Sequence, residues 1–299
     1  MPTKTRPEQN ELYAKRLGWS PADFGKKLFD DSLVSVIAFS QKLLGTKDDG
    51  VCGPATYGLF LADRQARLLK KTPLTLEDAG VIALCVAKQA WLQNISDLPP
   101  ANDPGFEKSR MFIDNLIRTP MGINWTWESL YTGNFEWCGT LPAYAWRVAG
   151  MKLALRTSFF PSTYRLDRWA RYQALDNTPN PKPPPGQHRR MLVELDEHSK
   201  FTDACFGPDL PPRAGDILLI GGASTAYGKH ICLVESYDEV QGVFTTIEGN
   251  GTGAAPDGSL RHGIVRGRRI VALRQGSVPT TYHARRLIRP APIDLSLTA

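Results

Sequence analysis

The sequence lacks any long apolar stretch. Its N-terminal segment, MPTKTRPEQNELYAKRLGW, has no apolar run of the kind that a secretory signal requires. No other segment approaches the ~20 consecutive apolar residues of a membrane-spanning helix. We therefore expect a protein that is synthesised in the cytoplasm without a signal peptide and has no membrane span. Export to another compartment would need a different route.

Cysteine is scarce, and its spacing suits neither a metal site nor a disulfide framework. The chain of 299 residues has five cysteines, an odd number, and no CxxC pair occurs among them. We therefore predict reduced thiols and no metal or other cofactor. Internal repeats are also absent. The cysteines are Cys52, Cys85, Cys138, Cys205 and Cys232.

Acidic residues are almost absent from the C-terminal segment, where positive charge is concentrated. Residues 261–299 contain eight arginines and a single acid, Asp294, whereas the formal net charge of the whole chain is +6. Such a segment predicts either an anionic partner, such as nucleic acid, acidic lipid or cell-wall polymer, or a solvated strand face. A nucleic-acid partner is disfavoured because the segment lacks interleaved aromatic residues and any recognised nucleic-acid-binding motif.

The first half of the chain shows helical periodicity. Residues 10–68 predict a small all-α module, in which SLVSVIAFSQKLLG forms one helix and Pro54 begins another. Residues 69–109 predict a helical connector and a linker; only Lys88 is polar on the apolar face of the connecting helix. A further helix is expected at about 106–118.

The pattern changes after DNTPNPKPPPGQ (176–187), which predicts an exposed polyproline-like loop. Five short β-rich runs follow, separated by Gly, Asp and Pro turns: AGDILLIGG, HICLVESY, GVFTTIEGN, GIVRGRRIVALR and RRLIRP. Helices followed by antiparallel strands indicate an α+β catalytic domain, which we place at 110–290.

Cys138 occupies an unusual place for a structural cysteine. It lies in NFEWCGTLPAYAW, directly after Trp137, where a loop is predicted to become a helix. The N-terminus of a helix offers free backbone N–H groups and the positive end of the helix dipole, and both stabilise a thiolate. Because the thiolate is the nucleophilic form of cysteine, Cys138 is a candidate nucleophile.

A cysteine nucleophile needs an imidazole nearby and a group that orients the ring. His230 begins the strand HICLVESY after a glycine-rich loop, which leaves its ring at a strand end, open to a cleft. The other four histidines are less suited, because they lie in exposed or arginine-rich segments. These are His188, His198, His262 and His283.

The next strand, FTTIEGN, carries the candidates for the orienting group. Glu248 and Asn250 are two residues apart and are therefore predicted on one face of the strand. The hairpin YDEVQG brings this strand beside the one that begins with His230. We expect the carboxylate and the amide to hold Nδ1–H of the imidazole and to stabilise the imidazolium.

The order Cys, His, Glu-x-Asn resembles that of the CHAP family of cysteine amidohydrolases and peptidases, which cut peptidoglycan stem peptides. The matching pieces are WCGTLPAYAW, PRAGDILLI, GKHICLVES and TIEGN. The resemblance implies a papain-like domain in which the nucleophile helix packs on an antiparallel sheet. The catalytic residues that it implies are Cys138, His230, Glu248 and Asn250, and the implied substrate-binding residues are Trp137, Gly139 and Gly228.

The N-terminal module has a resemblance of its own. VIAFSQKLLG followed by DDGVCGPATYGLF is similar to the peptidoglycan-binding repeat in which a Q-x-x-L-G helix precedes D-G-x-x-G-P-x-T. Cys52 stands where that repeat usually has a larger apolar residue, so we expect it in the core. Both resemblances imply bacterial peptidoglycan as the partner and the bacterial cell wall, in the periplasm, as the place of action.

The expected function is therefore hydrolysis of an amide bond in the peptidoglycan stem peptide, by an amidase or an endopeptidase. A phage lysin and an antibacterial effector injected by a secretion machine fit equally well. A cognate immunity protein or a secretion component would be a further partner of an effector. We expect a monomer. The alternative is a non-catalytic wall-binding protein with a hydrolase-like fold, which retention of the three polar site positions disfavours.

Overall fold

The computed structural model shows an α+β chain in which helices precede an antiparallel sheet. It describes residues 4–72, 75–96, 105–121, 137–149, 192–195, 201–203, 207–208, 212–221, 230–270 and 283–288. The segment predicted as a polyproline-like loop lies outside these ranges. No helix within them has both the length and the apolar character that a membrane span requires. The helices are α1 (Arg6–Leu17), a 3₁₀ turn (Pro21–Phe24), α2 (Asp31–Leu43), α3 (Pro54–Leu69), α4 (Leu76–Leu92), α5 (Phe106–Met121) and α6 (Thr140–Val148).

The strands form one sheet in the order β3-β2-β1-β8-β4-β5-β6-β7, with every hydrogen-bonded pair antiparallel. The five β-rich runs of the sequence correspond to β4 to β8, which confirms those predictions. The short strands β1 to β3 were not predicted. The strands are β1 (Leu192–Leu195), β2 (Phe201–Asp203), β3 (Gly207–Pro208), β4 (Ile217–Gly221), β5 (His230–Asp238), β6 (Val243–Ala254), β7 (Leu260–Ile270) and β8 (His283–Ile288).

The residues that match the peptidoglycan-binding motif hold the loop between α2 and α3. Gln41 is buried; its Oε1 accepts a hydrogen bond from Gly50 N at 2.8 Å, and its Nε2 donates to Thr56 Oγ1 at 3.2 Å. Asn10 of α1 donates to Gly50 O at 2.9 Å. Cys52 is fully buried, as expected. These motif positions are therefore explained by the fold of the loop, without reference to a ligand.

Helix α4 is a central element of the core. Trp91 is fully buried and donates from Nε1 to Ala254 O of β6 at 2.9 Å. Trp146 of α6 likewise donates to Gly215 O, before β4, at 2.8 Å. One continuous apolar core runs from α1 through α4 and α6 to the sheet. The division into a 10–68 module, a 69–109 connector and a 110–290 domain stays a prediction. Helix α4, in the connector, packs against both the 10–68 and the 110–290 segments.

A buried ion-pair cluster joins α1, α4 and the sheet. Lys88 Nζ donates to Glu235 Oε1 at 2.6 Å and to Gly18 O at 2.9 Å. Arg266 Nε donates to Glu235 Oε2 at 2.6 Å. Burial lowers the pKa of Lys88, and the Glu235 carboxylate opposes this shift. The polar position on the apolar face of α4 is thus the partner of a buried acid, and Arg266 of the basic segment is part of the interior.

We predict that Glu235→Gln destabilises the protein more than Lys88→Met does. Removing the carboxylate leaves Lys88 and Arg266 without a buried counter-charge, which typically costs about 3–5 kcal/mol. Removing the ammonium instead leaves Glu235 paired with Arg266. Urea unfolding of the two variants measures the difference in free energy. Equal losses at the two positions would contradict this account of the cluster.

Candidate active site

Cys138 lies in the turn that leads into α6, as the sequence predicts. Thr140 N donates to Trp137 O at 3.0 Å, and Gly139 is the residue that precedes the first helical position. Cys138 is therefore two residues before the helix begins. Its side chain is fully buried and belongs to the apolar core.

His230 and Glu248 are in direct contact, and Cys138 lies near the same imidazole ring. His230 Nε2 lies 2.9 Å from Glu248 Oε2, and the Cys138 thiol is close enough to the imidazole to raise its pKa. The carboxylate therefore contacts Nε2 of the ring. The expectation that the carboxylate holds Nδ1–H was wrong in this respect. The structure otherwise brings the three predicted side chains together in the order Cys138, His230, Glu248.

The charges of the site are set by these contacts. Burial alone would lower the pKa of His230, but the hydrogen bonds to Cys138 and Glu248 outweigh it and raise that pKa to about 10. Burial would raise the pKa of Glu248, but Arg269 and His230 outweigh it and hold that pKa at about 2. At neutral pH the site therefore contains an ionised carboxylate next to a protonated imidazole.

Arg269 of β7 is a member of the site that the sequence analysis missed. Its Nε donates to Glu248 Oε1 at 2.8 Å and its Nη2 donates to Glu248 Oε2, so that the guanidinium grips both carboxylate oxygens. Thr246 Oγ1 adds a hydrogen bond of 2.5 Å to Glu248 Oε1. In the sequence, Arg269 is distinguished only as one of the arginines of a basic segment.

Arg269 is brought to the site by the register of β7 against β6. Phe244 pairs with Arg269, Thr246 with Gly267 and Glu248 with Val265, so alternate residues of β6 and β7 share a face. Alternation along β7 could be read from the sequence, but its register against β6 could not.

Asn250 is separated from Glu248 by an irregularity in β6. The register shifts between Glu248 and Gly251, and Asn250 has a left-handed backbone with φ of 53°. The simple alternation that placed Asn250 on the same face as Glu248 therefore does not apply here. Within the described part of the chain, the site contacts of His230 involve Cys138 and Glu248. A catalytic role for Asn250 stays a prediction.

The three predicted substrate-binding residues have different placements. Trp137 is buried and packs against Gly249 of β6, where a Cβ would lie 2.7 Å from Trp137 Cζ3. Gly139 is buried at the start of α6. Gly228 lies outside the described residues. Trp137 thus has a packing role, and substrate binding by these residues stays a prediction.

The other predicted features of the site can be placed only in part. Within the described ranges, no group of three or more His, Cys, Asp or Glu side chains could hold a metal ion. His262 is exposed on β7. His188, His198 and Cys205 lie outside the described residues. The free, buried thiols are Cys52, Cys85, Cys138 and Cys232.

Comparisons of this chain with protein-family models, with curated proteins and with solved structures gave no match. A function must therefore be argued from the site itself and from the resemblances in the sequence.

The raised pKa of His230 predicts an imidazole that stays protonated well above its ordinary value of 6.5 and loses its proton near pH 10. Nitrogen-15 NMR of the histidine rings across a pH series measures this directly. Cys138→Ala and Glu248→Gln should each lower the pKa, because each removes a group that favours the charged ring. The protein unfolded in denaturant is the control. A wild-type His230 that titrates near 6.5 would contradict the arrangement.

Proposed function

We propose that the protein is a cysteine hydrolase that cleaves an amide bond in bacterial peptidoglycan, with a papain-like arrangement of Cys138, His230 and Glu248. The observation that carries the proposal is the 2.9 Å contact between His230 Nε2 and the buried Glu248 carboxylate, with the buried Cys138 thiol beside the same imidazole. Three side chains, from the turn before α6, from β5 and from β6, come together there. A purely structural buried cysteine has no need of such a set.

In the proposed reaction the imidazolium stabilises the Cys138 thiolate, which attacks the carbonyl carbon of the scissile amide. Backbone N–H groups at the start of α6, including that of Cys138, stabilise the oxyanion of the tetrahedral intermediate. His230 then protonates the leaving amine, and the C–N bond breaks to leave a thioester. His230, now neutral, takes a proton from water. The resulting hydroxide equivalent attacks the thioester and releases the acid and the thiol.

Access to the thiol favours one direction of approach. Cys138 and Glu248 are fully buried, whereas 17% of the His230 side chain is exposed. A substrate carbonyl would therefore approach from the side of the imidazole. The same burial means that Cys138 also contributes to packing, so Cys138→Ala is expected to lower stability slightly through the small cavity it leaves.

Peptidoglycan as the substrate is supported by two resemblances in one chain, in the segments 10–68 and 110–290. Both an amidase and an endopeptidase fit this site, as do a phage lysin and an antibacterial effector. The bond cut is identified by mass spectrometry of the released muropeptides.

We predict that Cys138→Ala and His230→Ala each abolish the release of soluble fragments from purified sacculi. Glu248→Gln should retain more activity, because it weakens the orientation of the ring without removing a group that reacts. His262→Ala is the matched control, since His262 is an exposed histidine on β7.

The measurement is the initial rate of sacculus solubilisation, with thermal unfolding of each variant to establish that it is folded. Wild-type rates in Cys138→Ala would show that the thiol is not the nucleophile. Loss of activity in His262→Ala, with wild-type activity in His230→Ala, would show that the base is on β7 and that its assignment to His230 of β5 is wrong.

The helical module at 10–68 is proposed to hold the enzyme on its insoluble substrate. Such binding would raise the effective concentration of the catalytic site at the wall. The 3₁₀ turn and α3 form a groove of about 420 Å³, whose lining includes Arg64, Arg67 and Lys71. Each of these cations is paired with an acid of the protein, but each is more than half exposed, so wall carboxylates would compete with Asp23, Asp63 and Asp78 for them. Deleting the module would expose the shared core, so substitutions are the better test.

We predict that Arg64→Gln combined with Arg67→Gln weakens retention of the full-length protein on sacculi. The assay is co-sedimentation at low and high salt, because non-specific attraction of exposed cations to an anionic wall is screened by salt. Lys15→Gln, which removes an exposed cation of α1, is the control. If the double variant sediments like the wild type at both salt concentrations, this groove is not the wall-binding surface.

A further inference from the structure

The buried carboxylate of Glu248 is held by donors on three sides. His230 contacts one oxygen, Thr246 the other, and the Arg269 guanidinium spans both. Glu248 is 0% exposed and Arg269 is 20% exposed. A two-pronged contact with a planar guanidinium fixes the direction of a carboxylate as well as its charge.

This geometry depends on a missing side chain at position 267. Glu248 faces Val265 across the β6–β7 pair, yet its carboxylate reaches along β7 to Arg269. It passes over Gly267, where a Cβ would collide with Glu248 Oε1 and lie 2.7 Å from Thr246 Oγ1. The absence of a side chain at the glycine of VRGRR thus leaves the space in which Glu248 contacts Arg269.

We propose that Arg269 is a positioning residue of the catalytic site: it fixes the Glu248 carboxylate in its ionised form against His230, and Gly267 provides the space for this contact. The inference rests on the proposed cysteine-hydrolase function. Arg269 acts through Glu248, and Glu248 acts through the imidazole. The arginine therefore sets how firmly the carboxylate is held against the imidazole that lies beside Cys138.

The same strand offers a matched control. Arg266 of β7 donates to Glu235 with similar burial, since 21% of Arg266 and 7% of Glu235 is exposed. Glu235 contacts Lys88 and not the catalytic histidine. Arg266→Gln and Arg269→Gln therefore each remove a partly exposed arginine of β7 from a buried glutamate, and only the second should affect His230.

The experiment compares Arg269→Gln, Arg269→Lys, Gly267→Ala and Arg266→Gln in the full-length protein. The first readout is the titration of His230 by nitrogen-15 NMR. The second is the rate of Cys138 alkylation by iodoacetamide as a function of pH, with Cys138→Ala as the blank. Neither readout needs a wall substrate. The third is the rate of sacculus solubilisation.

We expect Arg269→Gln and Gly267→Ala to lower the pKa of His230 and to slow the alkylation of Cys138 at neutral pH, because a less protonated ring stabilises the thiolate less. Solubilisation should fall by about 10- to 100-fold, the range found for carboxylate partners that orient metal-bound histidines. Arg269→Lys should restore part of each effect, because it keeps the charge but loses the two-pronged contact. Arg266→Gln should lower the thermal unfolding temperature and leave the titration unchanged.

The inference is overturned if Arg269→Gln and Arg266→Gln change stability alike while the His230 titration and the alkylation profile stay those of the wild type. Failure of the proposed function looks different. If the wild type releases nothing from sacculi but Arg269→Gln still shifts both solution readouts, the substrate is wrong and the positioning role of Arg269 stands.

Discussion

The ionised carboxylate of Glu248, with no exposed surface, is the constraint on which the site depends. A buried charge is tolerated only where it is paired and hydrogen-bonded. Here Arg269, Thr246 and the protonated ring of His230 meet that requirement together. The protonation state of the histidine is therefore tied to the register of β6 against β7, since a slip of one residue would turn Arg269 to the other face.

A buried glutamate paired with an arginine of β7 occurs twice, on the neighbouring strands β5 and β6. Glu235 of β5 and Glu248 of β6 are both buried, and each is gripped by an arginine of β7. The first pair recruits Lys88 and the backbone of α1, and thereby attaches the helical segment to the sheet. The second pair contacts His230. Two arginines of the basic segment thus serve the interior, which leaves fewer charges for an anionic partner.

Much of this site could be predicted from local pattern. The positions of Cys138 before a helix, of His230 at a strand start and of Glu248 on the adjacent strand follow from periodicity and turn signals, which act over a few residues. Features set by pairing between distant strands could not be predicted. The register that joins Arg269 to Glu248, the shift that removes Asn250 from simple alternation and the burial of α4 all depend on contacts far apart in sequence.

Strand β6 also contacts both ends of the arrangement of Cys138, His230 and Glu248. Glu248 points to the face that carries Arg269, and the next residue, Gly249, lies against Trp137, directly before Cys138. Because successive residues of a strand face opposite sides, one segment positions both the acid and the turn that holds Cys138. Any side chain at position 249 would press on Trp137 and shift the thiol relative to His230. The glycine of TIEGN is thus as much a part of the geometry as the acid beside it.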